Sequence, residues 1–205
     1  MTPLPPEAFR RADESADALF YRTPRLVTHI DERAVAAVTD LYRAHVPQGG
    51  AVLDLMSSWV SHLPPEAEYG RVAGLGMNAE EMDANPRLTE WTVQSLNEQA
   101  ALPYGDAAFD AALCCVSAQY LTRPAEVFAE VGRVLRPGAP FVVTFSNRCF
   151  PTKAVHAWRA LDDAGHVALV ERYFAGAGRF GEPEATVHRP AGGNPLFGVV
   201  ARRAG

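Results

Sequence analysis

The sequence predicts an α/β fold built on a parallel sheet, and three observations support this prediction. Residues 109–116 form an apolar run of strand length, and residues 141–145 form another that is rich in aromatic and β-branched side chains. Between the two runs, an apolar stripe at helical spacing begins near Pro124 and ends at the Pro137-Gly138 pair. A strand, a helix and a second buried strand in this order indicate a right-handed parallel βαβ unit.

The composition predicts a globular protein of one domain. The chain has 205 residues, of which 48% are hydrophobic and 21% are charged, which is enough to form a substantial core. The net charge of −5 argues against a broad basic surface for nucleic acid or anionic lipid. No apolar run approaches membrane-spanning length, and the N-terminus lacks the pattern of a signal peptide. We therefore expect a cytoplasmic protein with neither a nucleic-acid nor a membrane partner.

The cysteine and histidine patterns do not predict a metal site. Cys114, Cys115 and Cys149 have neither disulfide nor metal-ligand spacing, so we expect reduced thiols in the core or at the edge of a site. His156 and His166 have no other ligand types at a suitable spacing.

The rest of the chain predicts further helices and strands around this unit. Residues 1–17 are rich in proline and charge and are expected to be loosely ordered or wrapped on the surface. Asp31 is a predicted N-cap of a helix that ends before Pro47, and another helix is expected near Pro151, followed by two helical pieces hinged near Gly165. Strands are predicted at residues 51–55, 71–75 and 90–94, and a C-terminal hairpin at residues 184–190 and 196–203.

One stretch resembles a known family. The run LPYGDAAFDAALCCVSAQYL, followed by EVFAEVGRVLRPGAPFVVTF, closely resembles the second half of class I S-adenosylmethionine (SAM)-dependent methyltransferases of the type 11 group. In that group an LPF-x-D-x-x-FD segment leads into the fourth strand, and a helix that ends in RVLRPGG leads into the fifth. Any parallel α/β protein could carry such a βαβ unit, but here the spacing, the turn and the helix stop all coincide.

The resemblance implies a Rossmann-like, seven-stranded, mostly parallel sheet with a C-terminal antiparallel hairpin. It implies SAM as the cofactor, a small molecule as the methyl acceptor, and a ligand cleft at the carboxyl ends of strands one, two and four. By element order it extends from about residue 34 to the end. We therefore expect a methyltransferase-like domain at residues 34–205 and an N-terminal arm and cap at residues 1–33.

The resemblance also implies a binding site for the methionine end of SAM after the first strand. Asp54 matches the acidic residue at the end of that strand, although an acid there can simply cap the next turn. Met56, Ser57 and Ser58, followed by Trp59, replace the glycines whose backbone normally approaches the cofactor. We expect the two serine hydroxyls to compensate by donating to the cofactor carboxylate, whereas Met56 and Trp59 bring bulk to this place.

The remaining cofactor residues follow the second, third and fourth strands. Gly76 occupies the position of the acid that holds the ribose, and Asn78, two residues on, offers an amide oxygen or, as the alternative that we favour, caps a helix. After the third strand, Leu96 and Asn97 would frame the adenine, unless Asn97 only ends the strand in an Asx turn. After the fourth strand, Val116 and Ser117 would lie beside the methionine moiety.

Candidate acceptor-facing residues come from three places in the chain. The first group precedes the first long helix and consists of Tyr21, Arg25 and His29. The second, Gln119 and Tyr120, follows the fourth strand, and the third, Asn147 and Arg148, follows the fifth. The first group could instead be a solvated loop, and Tyr120 could pack in the core. Glutamine cannot act as a base, so no catalytic base is assigned.

Two other functions remain open. Because the loop glycines and the ribose-binding acid are absent, the chain could be a non-catalytic, methyltransferase-fold binding or regulatory protein. A nicotinamide dehydrogenase is opposed by the absence of G-x-G-x-x-G after the first strand.

Overall fold

The computed structural model describes residues 4–205 and contains one seven-stranded sheet. The spatial order is β3-β2-β1-β4-β5-β7-β6, with β1 to β5 parallel and β7 antiparallel to both β5 and β6. This arrangement confirms the predicted α/β class and the C-terminal hairpin. The strands are β1 (Ala51–Ser57), β2 (Arg71–Gly76), β3 (Glu90–Val93), β4 (Ala111–Cys115), β5 (Pro140–Phe145), β6 (Glu184–His188) and β7 (Leu196–Arg202).

Helices cover both faces of this sheet. One face packs on the apolar side of α2, including Val38 and Tyr42, and the other packs on α4 and α6 through Phe128 and Phe174. Asp31 caps α2 as predicted, because its Oδ1 accepts a hydrogen bond from the backbone N–H of Ala34 at 3.0 Å. The helices are α1 (Asp17–Phe20), α2 (Glu32–His45), α3 (Ala79–Asp83), α4 (Pro124–Val134), α5 (His156–Arg159) and α6 (Asp163–Ala177).

Strand β1 is longer than its sequence pattern predicts, and its last residues are irregular. The pairing with β2 shifts between Leu55 and Ser57, because Met56 has a left-handed φ of 57° and forms a bulge. Beyond the bulge, Ser57 pairs with Gly76 at the end of β2. The bulge therefore places two residues of the expected glycine-rich loop inside the sheet.

Two helix predictions are wrong. No helix begins near Pro151; this residue lies in a turn, and α5 begins only at His156. The expected hinge at Gly165 is also absent, because Gly165 lies in the first turn of α6 and the break between α5 and α6 is at residues 160–162. The side chain of Asp162 accepts a hydrogen bond from the backbone N–H of Gly165 at 2.9 Å, so this N-cap starts the helix before the glycine.

The N-terminal residues lie along the surface of the domain. Arg11 pairs with Val155 in an antiparallel bridge, and Ala8 is buried. Residues 1–3, which belong to the segment expected to be loosely ordered, fall outside the described part of the chain. Across residues 4–205, no helix is long and apolar enough to cross a lipid bilayer.

Candidate functional site

A cavity of about 490 Å³ lies at the carboxyl ends of the parallel strands. Its wall is formed by the residues that follow β1, β2, β3, β4 and β5, together with residues 17–30 from the N-terminal part of the chain. Every candidate site residue except Gln119 lines it. These residues are Tyr21, Arg25, His29, Asp54, Met56, Ser57, Ser58, Gly76, Asn78, Leu96, Asn97, Val116, Ser117, Tyr120, Asn147 and Arg148.

The cavity wall includes three non-glycine residues with strained backbones. Met56, His62 and Val116 have left-handed φ values of 57°, 53° and 44°, and all three line the cavity. The conformation is especially unusual for Val116, because its side chain is β-branched. Such strain persists only where the surrounding structure holds it, and it is commonly concentrated at functional sites.

Asp54 is a buried carboxylate in the cavity wall. Its Oδ2 accepts hydrogen bonds from the hydroxyls of Ser57 and Ser61 at 2.7 and 2.6 Å, whereas Oδ1 accepts none from residues 4–205. Burial raises the pKa of Asp54 to about 6, and the two hydroxyl donors limit this rise. One oxygen of Asp54 is therefore left for another donor.

The two serine hydroxyls bond to acids of the protein. Ser57 donates to Asp54, and Ser58 donates to Oε2 of Glu81 at 2.6 Å. Because a hydroxyl has a single proton to donate, neither serine can also donate to a cofactor carboxylate while these bonds persist. The expected compensation through serine hydroxyls is therefore not supported by the geometry.

The backbone of the same loop does retain unpaired donors. The N–H groups of Trp59 and Val60 donate to no acceptor in the described chain, and both residues line the cavity. The indole N–H of Trp59 donates to the carbonyl of Val27 at 3.1 Å, which ties the loop to the N-terminal segment. The bulk of Trp59 therefore forms part of the wall and leaves the cavity open.

Gly76 cannot be replaced by an acid without moving the sheet. A Cβ atom at this position would lie 2.2 Å from the carbonyl oxygen of Ser57 and 3.0 Å from Sδ of Met82. The first contact arises from the bulge at Met56, which brings Ser57 alongside Gly76. The missing loop glycines and the missing acid after β2 are thus linked parts of one local structure.

The side chain of Asn78 holds two elements together. Its Oδ1 accepts from the backbone N–H of Glu81 at 3.1 Å, which confirms the alternative of a helix N-cap. Its Nδ2 donates to the carbonyls of Tyr21 at 2.9 Å and Arg22 at 3.3 Å. Asn78 therefore anchors the N-terminal segment to α3.

Glu81 is a cavity residue that the sequence pattern did not single out. It lies in the first turn of α3, is buried, and accepts from the Ser58 hydroxyl through Oε2 and from the backbone N–H of Arg25 at 2.7 Å through Oε1. Each carboxylate oxygen can accept a further hydrogen bond. Glu81 thus places an anion near the end of β2, although on the next helix and not on the strand.

The side chain of Asn97 is fully engaged within the protein. Its Nδ2 donates to Oδ2 of Asp17 at 2.8 Å and to the carbonyl of Tyr120 at 3.0 Å. Its Oδ1 accepts from the backbone N–H and the hydroxyl of Thr122 at 2.8 and 3.0 Å. Asn97 therefore has no free donor for a ligand, whereas its neighbour Leu96 presents an apolar surface to the cavity.

Asp17 connects the cavity to a buried charge cluster that the sequence pattern also did not reveal. Its Oδ1 lies 2.6 Å from an N–H donor of Arg11 and 3.4 Å from the ammonium of Lys153. Lys153, the only lysine in the chain, has no exposed surface, and its ammonium lies 3.2 Å from Asp13 and donates to the carbonyl of Ser15 at 2.7 Å. This cluster fixes the start of the N-terminal segment beside the cavity.

Three of the four candidate residues after β4 line the cavity, and one of these, Tyr120, also packs in the core. Ser117 and Tyr120 line the cavity; the Ser117 hydroxyl donates to the carbonyl of Cys115 at 2.7 Å. Gln119 is fully buried, donates to the carbonyl of Val116 at 2.7 Å and does not line the cavity. The prediction that Gln119 faces an acceptor is therefore wrong, because the short helical turn at residues 118–120 directs it into the core.

An aromatic wall bounds the cavity where the N-terminal segment meets the residues after β5. We use this name for Tyr21, His29, Tyr120 and Phe150. The ring of Phe150 lies 5.2 Å from His29 and 5.9 Å from Tyr120, and its backbone N–H donates to the Tyr120 hydroxyl at 2.9 Å. Burial lowers the pKa of His29 and of His62 and raises that of Tyr120 to about 12, so at neutral pH these side chains are uncharged.

Comparison with known proteins finds a match between part of the chain and a family model. The sequence model of the type 11 methyltransferase domain matches residues 58–143. This matched stretch, which is less than half of the chain, is similar to the methyltransferase domain of that family. Among curated proteins, the biotin biosynthesis bifunctional protein BioHC of Teredinibacter turnerae is 29% identical over 72 residues, which are 35% of this chain and 13% of that protein. The chain thus spans only a small part of that relative's length.

Solved structures share the fold of this chain. The 1,6-didemethyltoxoflavin-N1-methyltransferase of Burkholderia thailandensis is 17% identical, with a TM-score of 0.61 over 85% of this chain and 80% of that chain. A SAM-dependent methyltransferase of Methanosarcina mazei is 16% identical, with a TM-score of 0.55 over 80% of this chain and 97% of that chain. At these identities the likeness shows the fold alone.

Proposed function

We propose that this protein transfers a methyl group from SAM to a small molecule. The observation that carries this proposal is the preformed cavity at the carboxyl edge of a methyltransferase-type sheet. Its volume of about 490 Å³ lies within the range of small-ligand sites. The Burkholderia structure contains 1,6-didemethyltoxoflavin and S-adenosylhomocysteine (SAH), which supports a small acceptor here as well.

The methionine end of SAM would lie against the loop after β1. Oδ1 of Asp54 would accept from the ammonium, and the unpaired backbone N–H groups of Trp59 and Val60 would donate to the carboxylate. The donors remain backbone amides, as in a glycine-rich loop, although the side chains are larger. Val116 and Ser117 would lie beside the same part of the cofactor.

The nucleoside would lie over the ends of β2 and β3. Glu81 is the buried carboxylate on that side of the cavity, and we assign it the two ribose hydroxyls in place of Gly76 and Asn78. Leu75 and Leu96 provide apolar surface for the adenine. In this arrangement Asn97 supports the pocket through Asp17 and Tyr120 and makes no contact with the base.

The chain's contribution to catalysis would be alignment and exclusion of water. SAM supplies a methyl group on a positively charged sulfur, and the acceptor's electron pair forms the new bond to carbon as the carbon–sulfur bond breaks. The aromatic wall provides a weakly polar surface, which favours a transition state in which the positive charge on the sulfur disappears. His29 and His62 offer neutral imidazoles that can accept the proton released by the acceptor.

The N-terminal residues would complete the site as a cap. Tyr21, Arg25 and Val27 each bond through backbone groups to side chains of the domain, namely Asn78, Glu81 and Trp59. We therefore propose that residues 1–33 cover the ligands and that residues 34–205 form the domain that binds them.

The proposal is tested by mixing the purified protein with SAM carrying a heavy methyl label and a small-molecule extract, and analysing the products by mass spectrometry. We expect a labelled product that is absent without protein and strongly reduced for Asp54→Asn. Asp40→Asn, an exposed change on α2, should retain activity. SAM binding without any labelled product would favour the rival function of a non-catalytic binding protein. The side chains of Ser57, Ser58 and Asn97 already form hydrogen bonds within the protein, which also favours that rival.

A further inference from the structure

The cavity contains two guanidinium groups that no carboxylate within residues 4–205 neutralises. Arg25 and Arg148 line the cavity, and within residues 4–205 neither forms an ion pair. Glu81, the acid nearest in the structure to the backbone of Arg25, accepts from that residue's N–H and from the Ser58 hydroxyl, not from the guanidinium. Positive charge is therefore available on this side of the cavity.

The guanidinium of Arg25 is held in a defined place. Its central carbon lies 4.7 Å from the ring centre of Phe20 and 5.5 Å from that of Phe150, and one terminal nitrogen donates to the carbonyl of Phe20 at 2.9 Å. A guanidinium has five N–H donors, so donors of Arg25 remain for a ligand. Arg148 precedes Phe150 by two residues and is exposed, with no hydrogen-bond partner in the described chain.

The aromatic surface beside Arg25 suits a flat ring. The aromatic wall presents Tyr21, Tyr120 and Phe150, with His29 edge-on to Phe150 at an angle of 77°. Planar aromatic ligands gain from offset or edge contacts with such rings, and guanidinium groups form strong paired hydrogen bonds with carboxylates. The acceptor half of the cavity therefore combines a ring-binding surface with a place for an anion.

We propose that the methyl acceptor is a planar aromatic molecule that carries a carboxylate, with the ring on the aromatic wall and the carboxylate between Arg25 and Arg148. This inference rests on the proposed function, because it assigns SAM to the other half of the cavity. The acids of the wall have partners other than the two guanidinium groups: Asp17 is paired with Arg11 and Lys153, and Asp54 bonds to serines. Glu81 accepts from the backbone N–H of Arg25 and from the Ser58 hydroxyl.

The test uses matched probes that differ only in the anion. Salicylate is compared with salicylamide, and indoleacetate with indoleacetamide, by ligand-observed NMR titration of the protein with and without SAH. We expect each acid to bind about tenfold more tightly than its amide, since the stronger hydrogen bonds of a charged acceptor lower the dissociation constant by about this factor. Equal binding within each pair, or no binding of either acid, would overturn the proposal.

Variants locate the anion. Arg148→Gln, an exposed change that should leave the fold intact, and Arg25→Gln should each remove most of the preference for the acid, whereas Arg25→Lys should keep part of it. Arg22→Gln is the matched control, because Arg22 is exposed on the same segment and does not line the cavity. A preference that persists in both glutamine variants would place the anion elsewhere and refute the assignment.

A calorimetric titration with SAH separates the two proposals. If SAH fails to bind while the acids are still preferred, the assigned transferase function is wrong and the anion site remains. If SAH binds and the acids show no preference, the aromatic-acid acceptor is wrong and the transferase function remains.

Discussion

Replacing Glu81 by glutamine tests how the nucleoside is held. Glu81 is buried in the cavity wall, and both its oxygens can accept one hydrogen bond beyond those from Ser58 and Arg25. Hydrogen bonds to a charged group contribute about 1.5–3 kcal/mol, against about 1 kcal/mol for neutral pairs. Loss of the charge should thus weaken binding by about 1–2 kcal/mol, or about 5- to 30-fold in Kd.

The assay is isothermal titration with SAH, with Glu80→Gln as the matched control. Glu80 precedes Glu81 on α3 but is exposed and does not line the cavity, so its variant should bind like the wild type. An SAH analogue without the ribose hydroxyls separates a direct contact from an effect on the N-terminal segment. With this analogue the wild type and Glu81→Gln should bind alike.

Two results would refute this reasoning. If Glu81→Gln binds SAH as tightly as Glu80→Gln, the carboxylate has no part in binding the nucleoside. If its loss of affinity is the same for SAH and for the analogue, Glu81 acts only through the contacts with Ser58 and Arg25.

Three further predictions concern Gly76, Lys153 and Asp54. Gly76→Ala should destabilise the fold by about 1–3 kcal/mol in urea unfolding, because its Cβ would lie 2.2 Å from the carbonyl oxygen of Ser57. Gly105→Ala, with no atom within 4 Å of the added Cβ, should cost less, and equal costs would contradict this account. Lys153→Met should lower stability by about 1–3 kcal/mol, since the carbonyl of Ser15 loses its donor and Asp17 keeps only its contact with Arg11 among the described residues; an unchanged urea midpoint would argue against this role. Because burial raises the pKa of Asp54 to about 6, its carboxylate is lost as the pH falls through that value, so SAH affinity should drop about tenfold between pH 7 and 5. The Asp54→Asn variant should bind weakly with a flatter pH profile, and a flat wild-type profile would exclude the ammonium contact.

The fold was predictable because its signals are local in the chain. The apolar runs, the proline and glycine stops and the caps at Asp31 and Asn78 each act within a few residues. The wrong prediction of a hinge at Gly165 also depends on a local signal. Asp162, three residues before Gly165, caps α6 and decides where this helix begins.

The site was less predictable because its bonds join distant positions. Ser58 bonds to an acid 23 residues away, and that acid bonds to a backbone group 56 residues away. Asn97 meets Asp17 across 80 positions. The sequence therefore indicated which residues reach the cavity, but not which of their polar groups are already used within the protein.

Trp59 provides the most direct test of the claim that this cavity admits SAM. The chain has three tryptophans, and of these only Trp59 lines the cavity, so the indole N–H signals in an NMR spectrum can be followed during titration with SAH. We predict a saturable shift of the Trp59 signal at micromolar SAH, while the signals of Trp91 and Trp158 stay in place. If the Trp59 signal does not move at millimolar SAH, the cavity does not bind the cofactor and the proposed transferase function is wrong.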